Sequence, residues 1–302
     1  MTEKRIKRET LSPISFFSLR LRLMRNGIEI GTGTGFLYQH PGVDKYFLVT
    51  NYHVATCRLP TNPETLMKGF PDSPDEIQWM TFEQPGFEPY SGSISLLGGI
   101  SWVEHPQRER GVDFVAIPLV VPGDALCLSN RALPLVDDIS VGVGTDLFIV
   151  GFPYGYSPTQ PFPVYKRGTV ASEPLLPHEG LPYFLIDANT APGMSGSPVF
   201  AIEKRLKLLA TREEAEMLEK VSSGKAGALE TLASLGALTR QTPHWEADYR
   251  LIGIYASRIT GPTGKGGEGD YGLGKVWRIE AIAEAFEVGN LVDHPFPPHP
   301  VI

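Results

Sequence analysis

The sequence predicts an all-β protein made of two β-barrels or sandwiches. Short runs of alternating apolar and polar residues recur along the chain, separated by glycine, proline and aspartate. The 302 residues include 32 glycines and 27 prolines, a turn-rich composition, and their number suits one large or two small domains. Residues 121–140 lack this pattern and are the expected linker between two sets of strands.

The first set begins with an amphipathic strand and a tight turn. From Phe17 to Leu23, apolar residues alternate with serine and arginine, which is the period of a strand buried on one face. Asn26-Gly27 then predicts a hairpin turn, and glycines in the return run Ile28–Tyr38 predict bends or close backbone approaches. Further strands are expected at Lys45–Thr50, Glu76–Phe82, Tyr90–Leu97 and Val112–Leu119.

The second set of strands follows the linker. Strands are expected at Leu147–Val150, Val164–Ser172, Tyr183–Asp187, Ser197–Ala201, Leu251–Ser257 and Lys275–Ile279. The expected organisation is an N-terminal β domain at 1–120, the linker 121–140, a C-terminal β domain at 141–290 and a proline-rich tail at 291–302.

A helical pattern interrupts the second set. Apolar residues at helical spacing predict two helices, Glu203–Val221 and Ala226–Leu238, inside an insertion at 201–250. The glycine-rich run Gly261–Gly274 is expected to stay mobile, because glycine has no side chain to anchor it. A closing helix is expected at Glu280–Glu287, before prolines that cannot continue it.

Charge and composition narrow the expected partners and compartment. The net charge of −7 offers no basic field for phosphates, so nucleic acid is not an expected partner. Cys57 and Cys127 are too few for a disulfide framework, which favours a reducing compartment. Arginines interrupt the apolar stretch Ile14–Met24, and no later stretch reaches the length of a membrane helix. We therefore expect a soluble cytoplasmic protein with no membrane partner.

Three short segments contain residues suited to nucleophilic catalysis, which needs a nucleophile, a base and a group that orients the base. His53 follows a predicted strand, where a loop can expose it. Asp113 enters an apolar run, where a buried carboxylate needs a partner such as His53. Ser195 lies among small residues in Pro192–Pro198, where backbone N–H groups can converge on a bound oxygen.

Together these segments resemble the His, Asp and Ser motifs of the trypsin-like (chymotrypsin-fold) serine peptidases, in that family's chain order. The resemblance covers about residues 14–288. It implies two six-stranded β-barrels, with the helical insertion in the second and a C-terminal helix. It also implies a catalytic triad of His53, Asp113 and Ser195, an oxyanion hole of Gly193 and Ser195 N–H groups, no metal or cofactor, and a protein or peptide substrate.

The residue before the serine departs from trypsin itself. Trypsin-type members have an Asp there that pairs with a newly freed N-terminus, whereas this chain has Met194. Activation by N-terminal cleavage is therefore not expected. In this respect the segment resembles the bacterial HtrA-like and glutamyl endopeptidase branches.

Four residues are candidates for substrate binding by the same resemblance. Asn189 stands where trypsins have the carboxylate that selects Lys or Arg, so cleavage after basic residues is not expected. Thr190 matches a pocket position of glutamyl endopeptidases, but Tyr255 stands where they have a His. Arg258 replaces a usual pocket Gly, and it either pairs with an acidic substrate side chain or points to solvent.

Two other functions use the same features. The chain could be an inactive pseudopeptidase that forms a binding scaffold, with a protein partner docking on insertion 201–250, or an esterase-like acyl transferase with the same triad. Cys57 is expected to be a buried structural thiol rather than a nucleophile. Ser197 is a weaker candidate nucleophile than Ser195, which small residues flank. His294 is expected in a solvated tail, without a metal.

Overall fold

Strands are the main secondary structure of the chain. A computed structural model describes residues 11–84, 87–159, 161–208, 220–221, 223, 227, 243–262 and 267–294. The strands of the first half are β1 (Ser18–Arg25), β2 (Ile28–Tyr38), β3 (Tyr46–Thr50), β4 (Arg58–Leu59), β5 (Asn62–Leu66), β6 (Glu76–Glu83), β7 (Pro89–Ser95), β8 (Ser101–Glu104), β9 (Val115–Leu119) and β10 (Ala125–Leu126). They are followed by β11 (Asp146–Gly151), β12 (Val164–Val170), β13 (Tyr183–Ala188), β14 (Pro198–Leu208), β15 (Pro243–Pro262), β16 (Glu268–Arg278) and β17 (Asn290–Asp293). The helices are α1 (Tyr52–Thr56), α2 (Ile279–Val288) and 3-10 turns at Pro13–Phe16, Arg108–Arg110 and Pro153–Gly155.

The first sheet contains nine of the described strands, in the order β10-β6-β1-β2-β3-β9-β8-β17, with β7 paired to β6. Its β1–β2 hairpin turns at Asn26-Gly27, whose φ angles are 52° and 75°. This confirms the predicted turn, because left-handed turn residues match the twist of the paired strands. Gly33 permits a close approach, since a Cβ there would lie 2.5 Å from Val54.

The second sheet closes into a six-stranded barrel, β11-β12-β13-β16-β15-β14. Alternate residues of its strands fill a fully buried interior, which includes Leu147, Ile149, Ile186, Val199 and Val276. The nine-stranded sheet, the closed barrel and the small number of helices confirm the all-β prediction. The first sheet has three strands more than the six expected. The predicted linker and the predicted tail each add a strand, β10 and β17, and β8 is a strand that was not predicted.

The first of the two helices predicted in the insertion, Glu203–Val221, is wrong at its N-terminal end, where the structure has a strand. The chain divides into two compact units, Met1–Ala201 with Arg250–Ile302, and Ile202–Tyr249. In the second unit, β14 continues as a strand through Leu208 and β15 begins at Pro243. Arg205 pairs there with Glu203 at 2.7 Å and with Asp248 at 3.6 Å. Contacts from a residue distant in sequence thus override the local helical spacing. Most of Glu203–Val221 and of Ala226–Leu238 lies outside the described residues.

The glycine-rich run is not an open loop where the structure describes it. β15 and β16 form a long hairpin in which Gly261 pairs with Gly269 and Thr260 with Asp270. The backbone of these residues belongs to a hydrogen-bonded ladder, which does not depend on side chains. The run is therefore strand at 261–262 and 268–274, residues 263–266 lie outside the described part, and the expected mobility stays a prediction.

The predicted tail begins with a strand. β17 pairs with β8, with Val292 opposite Trp102. His294 is only 3% exposed, its ring centroid lies 4.7 Å from that of Trp102, and its N–H donates to the Ile100 carbonyl at 2.7 Å. Burial lowers the pKa of His294 to about 4. The expectation of a solvated His294 is wrong, because strand pairing carries it into the first domain's core.

The predicted linker also contributes to the core. Leu133 and Ile139 are buried, and β10 pairs with β6.

The helix α2 follows β16 directly, and its Ala281, Ile282 and Ala285 are buried. Among the described residues, no helix is long and apolar enough to cross a membrane.

Candidate active site

His53 lies in a one-turn helix directly after a strand of the first sheet. β3 ends at Thr50, Asn51 continues in an extended conformation, and α1 has His53 at its second position. Cys57 ends the helix with a left-handed φ of 57°, and its N–H donates to the His53 carbonyl at 2.9 Å. The helix therefore begins one residue after β3, and the strand before His53 and the helical turn after it hold its backbone in place.

Asp113 accepts two hydrogen bonds from His53. The His53 backbone N–H donates to Oδ1 at 3.0 Å, and the ring Nδ1 lies 2.6 Å from Oδ2. The Asn51 amide donates to the Asp113 carbonyl at 2.6 Å, which holds the backbone of the aspartate. A carboxylate can only accept, so Nδ1 carries a proton, and in the neutral ring Nε2 is the atom that can accept one. The structure brings these two predicted site residues together.

The Ser195 loop is attached to both β domains by its backbone. The Ser195 carbonyl accepts from Thr34 N–H in β2, and Gly196 N–H donates to the Tyr255 carbonyl in β15, each at 2.9 Å. Gly196 has a φ of 86°, and a Cβ there would collide with the Thr34 carbonyl. Glycine is therefore required at this position.

The Ser195 hydroxyl is held by a backbone carbonyl. Its Oγ donates to the Ala256 carbonyl at 2.8 Å. Among the described residues, no hydrogen bond joins Ser195 to His53, although both line a cleft of about 460 Å³ that also contains Asp113. The predicted nucleophile and base thus line the same cleft.

Two N–H groups of the Ser195 loop are without a backbone acceptor in the described part of the chain. The Pro192 carbonyl accepts from Tyr154 N–H at 2.6 Å, and the Met194 carbonyl accepts from Ser197 N–H at 3.0 Å. In a trans peptide the C=O and the following N–H point in opposite directions. These two carbonyl bonds therefore orient the N–H groups of Gly193 and Ser195 away from them, where they can donate to a bound oxygen.

The structure divides the predicted specificity residues between two clefts. Asn189 and Thr190 line a small cleft of about 200 Å³ with Arg258, whereas Tyr255 and Arg258 line the main cleft. The hydroxyls of Thr190 and Tyr255 lie 2.5 Å apart, and burial raises the pKa of Tyr255. Arg258 is paired with Asp270 at 2.8 Å. Its cation is therefore partly neutralised within the chain.

The comparison with protein families decides the identity of the domain. Residues 33–206, more than half of the chain, match the family described as trypsin-like peptidase domain. The chain belongs to this family. A search of curated proteins finds no match.

The trypsin-like peptidase is also similar to solved protease structures. A serine endoprotease from Yersinia pestis has 12% identity and a TM-score of 0.46 over 90% of this chain and 62% of that one. An inactive mutant of Rv3671c from M. tuberculosis H37Rv has 14% identity and a TM-score of 0.40 over 90% and 86%. The chain thus spans about three fifths of the Yersinia protein. The family match and the two β units confirm the chymotrypsin fold that the resemblance implied.

Several residues around the peptidase site were not singled out from the sequence. Thr34 binds the Ser195 loop twice, through its N–H and through Oγ1, which donates to the Gly193 carbonyl at 2.9 Å. Lys275 and Trp277 line the main cleft. The sequence could have indicated that Lys275 and Trp277 lie on the same face, because alternate residues of the predicted strand 275–279 do so. No pattern near Thr34 indicates its partner, which is distant in sequence.

The other candidate nucleophiles, Cys57 and Ser197, are buried. Burial raises the thiol pKa of both Cys57 and Cys127 to about 12, so neither is a thiolate at neutral pH. Ser197 is fully buried, whereas Ser195 is partly exposed in the cleft. In the described part of the chain, no group of three or more His, Cys, Asp or Glu residues could hold a metal ion.

Proposed function

We propose that this trypsin-like peptidase is a serine endopeptidase that cleaves peptide bonds in protein or peptide substrates. The observation that supports this most is the doubly bonded His53–Asp113 pair, which makes Nε2 the acceptor of the neutral ring in the cleft that contains Ser195. Such a pair is suited to remove a proton from a hydroxyl at neutral pH.

In the proposed reaction, the Ser195 hydroxyl leaves Ala256 and turns to His53. Oγ attacks the substrate carbonyl while Nε2 takes its proton, and Asp113 stabilises the imidazolium that forms. The N–H groups of Gly193 and Ser195 bind the oxyanion. His53 then gives the proton to the leaving amine as the C–N bond breaks, and a water molecule hydrolyses the acyl-enzyme by the same steps.

One observation favours the alternative of an inactive scaffold. The Ser195 hydroxyl donates to Ala256, so His53 does not activate it in this geometry. A scaffold would bind peptides in the cleft without cleaving them. The two functions differ in one chemical property, the nucleophilicity of Ser195.

Covalent labelling with a fluorophosphonate probe tests this property. We expect the wild-type protein to be labelled, Ser195→Ala to be unlabelled, and Ser197→Ala to keep its labelling, because Ser197 is buried. Peptide hydrolysis should follow the same pattern. A folded wild-type protein that is neither labelled nor active would contradict the endopeptidase and support the scaffold.

A further inference from the structure

One wall of the main cleft is formed by the outer face of β16. Gly274 and Val276 of this strand face the barrel interior, where Val276 packs in the core. By the alternation of a strand, Lys275 and Trp277 lie on the opposite face. Both line the cleft together with His53 and Ser195.

Lys275 is held over aromatic rings in a half-buried position. Its Nζ lies 4.3 Å from the ring centroid of Tyr183 and 5.4 Å from that of Trp277. Both rings are almost fully buried, so they are rigid neighbours. Burial lowers the pKa of Lys275, although the carboxylates of Glu179 and Asp113 oppose this effect.

The carboxylates near Lys275 have other partners. Asp113 accepts both hydrogen bonds from His53, and Glu179 accepts from the Tyr183 hydroxyl at 3.1 Å. Within the described residues, Lys275 forms no ion pair with either of them. A half-buried ammonium that lies over ring faces and forms no ion pair among the described residues retains its capacity to bind an anion.

The main cleft is also lined by other side chains with N–H donors, and they differ in whether they have a partner within the chain. Arg258 is paired with Asp270, and Arg110 is exposed and donates to the Glu179 carbonyl. The indole Nε1 of Trp277 is buried and has no acceptor among the described residues. Lys275 therefore gives this wall a cationic donor without an ion-pair partner among the described residues, which a ligand with oxygen acceptors would satisfy.

We propose that Lys275 is a specificity-determining residue that binds an acidic side chain, Asp or Glu, of the peptide substrate in the main cleft. This inference rests on the proposed endopeptidase function for its physiological meaning. It assigns the preference for an acidic residue to Lys275 rather than to Arg258, which already has an anionic partner within the chain.

Peptides that differ in one charge measure this preference. A library places a single Glu, or its neutral isostere Gln, at each of the positions around the cleaved bond. For one position we expect wild-type kcat/KM to be about ten- to a hundredfold higher with Glu than with Gln, as for a charge-assisted hydrogen bond. Lys275→Met should reduce this ratio to near one, and Lys275→Arg should retain part of it.

A control variant and a binding measurement separate this inference from the proposed function. Lys45→Met, which removes an exposed lysine, should leave the Glu-to-Gln ratio unchanged. Fluorescence anisotropy with the same peptides measures binding to Ser195→Ala and to Ser195→Ala/Lys275→Met, where no hydrolysis is needed. Binding that prefers Glu only when Lys275 is present supports the inference, even if the wild type cleaves nothing. A ratio that Lys275→Met does not change, in hydrolysis or in binding, overturns it while the endopeptidase stands on its own test.

Discussion

Replacement of Gly193 by alanine tests whether the backbone of the Ser195 loop forms the oxyanion hole. Gly193 has a φ of 88°, and a Cβ there would lie 2.5 Å from the Phe152 carbonyl oxygen and 2.9 Å from Tyr154 N. Both neighbours are backbone atoms, which cannot turn away as a side chain can. The loop must therefore move away from Phe152 by roughly 0.9 Å to reach an ordinary contact of 3.4 Å.

This movement strains the hydrogen bond that orients the Gly193 N–H. Tyr154 N–H donates to the Pro192 carbonyl at 2.6 Å, and its loss frees the peptide between Pro192 and Gly193 to rotate. Loss of one oxyanion donor lowers kcat by about 10²–10³-fold. The left-handed backbone adds about 1–2 kcal/mol of destabilisation for alanine, which a typical domain survives.

Gly144→Ala is the matched control for the backbone cost. Gly144 has a φ of 84°, but nothing lies within 4 Å of a Cβ at this position. In urea titrations Gly144→Ala should lose only the cost of the left-handed backbone, and Gly193→Ala should lose more because its Cβ also meets backbone atoms. Only Gly193→Ala should lose kcat in a peptide assay. Equal kcat in the two variants would refute the assignment of the Gly193 N–H to the oxyanion hole. A Gly193→Ala variant that is unfolded under assay conditions would refute the estimate of the strain.

Asp113→Asn should lower kcat about 10⁴-fold with the fold intact, because an amide no longer enforces the tautomer of His53; an unchanged kcat would exclude an orienting role for the carboxylate. The thiols of Cys57 and Cys127, whose pKa burial raises to about 12, should not react with a maleimide in the native protein at pH 7; rapid labelling measured by mass spectrometry would show that they are accessible thiolates. His294 has a pKa of about 4 when folded against an ordinary 6.5, so the unfolded chain binds the proton more readily. Its contribution of about 3 kcal/mol to the free energy of unfolding is present above pH 6.5 and is lost as the pH falls toward 4. Urea titrations of wild type and His294→Phe check this, and an identical pH dependence of the two would argue against it.

Local periodicity was sufficient to predict most of the strands. β1 shows why, because its alternate residues Leu19, Leu21 and Leu23 are all buried in the structure. The turn at Asn26-Gly27 was predictable for a local reason as well, since few residues other than asparagine and glycine adopt two left-handed conformations in sequence. Where one face of a strand is buried and its turn is short, the necessary information lies within about ten residues.

The errors arise where a distant partner decides the local structure. Residues 203–208 have helical spacing, yet Arg205 pairs with Asp248, which lies more than forty residues later. Trp102 similarly accounts for the burial of His294, which is preceded by a strand that pairs with β8. Neither pairing leaves a mark in the segment itself, so no local pattern could have indicated it.

The candidate site was predictable in its residue types but not in its geometry. His53 and Asp113 were expected to be partners, and the structure joins them by two hydrogen bonds. The orientation of the Ser195 hydroxyl was not predictable, because the carbonyl that accepts its proton belongs to Ala256 of β15, more than sixty residues away in sequence. The environment of Lys275 depends on the rings of two strands that are adjacent only in the folded barrel.

The rigidity of the Ser195 loop determines how much the bond to Ala256 can matter. Thr34 bonds both the Ser195 and the Gly193 residues, and Thr50 Oγ1 in turn donates to the Thr34 carbonyl at 2.7 Å. The backbone of the loop cannot shift without breaking several such bonds, so the side-chain torsion of Ser195 is the freedom that remains. Such a torsion changes within nanoseconds for a partly exposed residue.

A single neutral hydrogen bond contributes about 1 kcal/mol, which lowers the population of the reactive rotamer about fivefold. This cost is small beside the 10⁶-fold or greater accelerations of enzymes. The hydroxyl's bond to Ala256 therefore affects the rate of the proposed peptidase far less than loss of the His53–Asp113 pair or of the Gly193 donor would. A scaffold function would need a further obstacle between Ser195 and His53, and complete absence of fluorophosphonate labelling is the result that would reveal one.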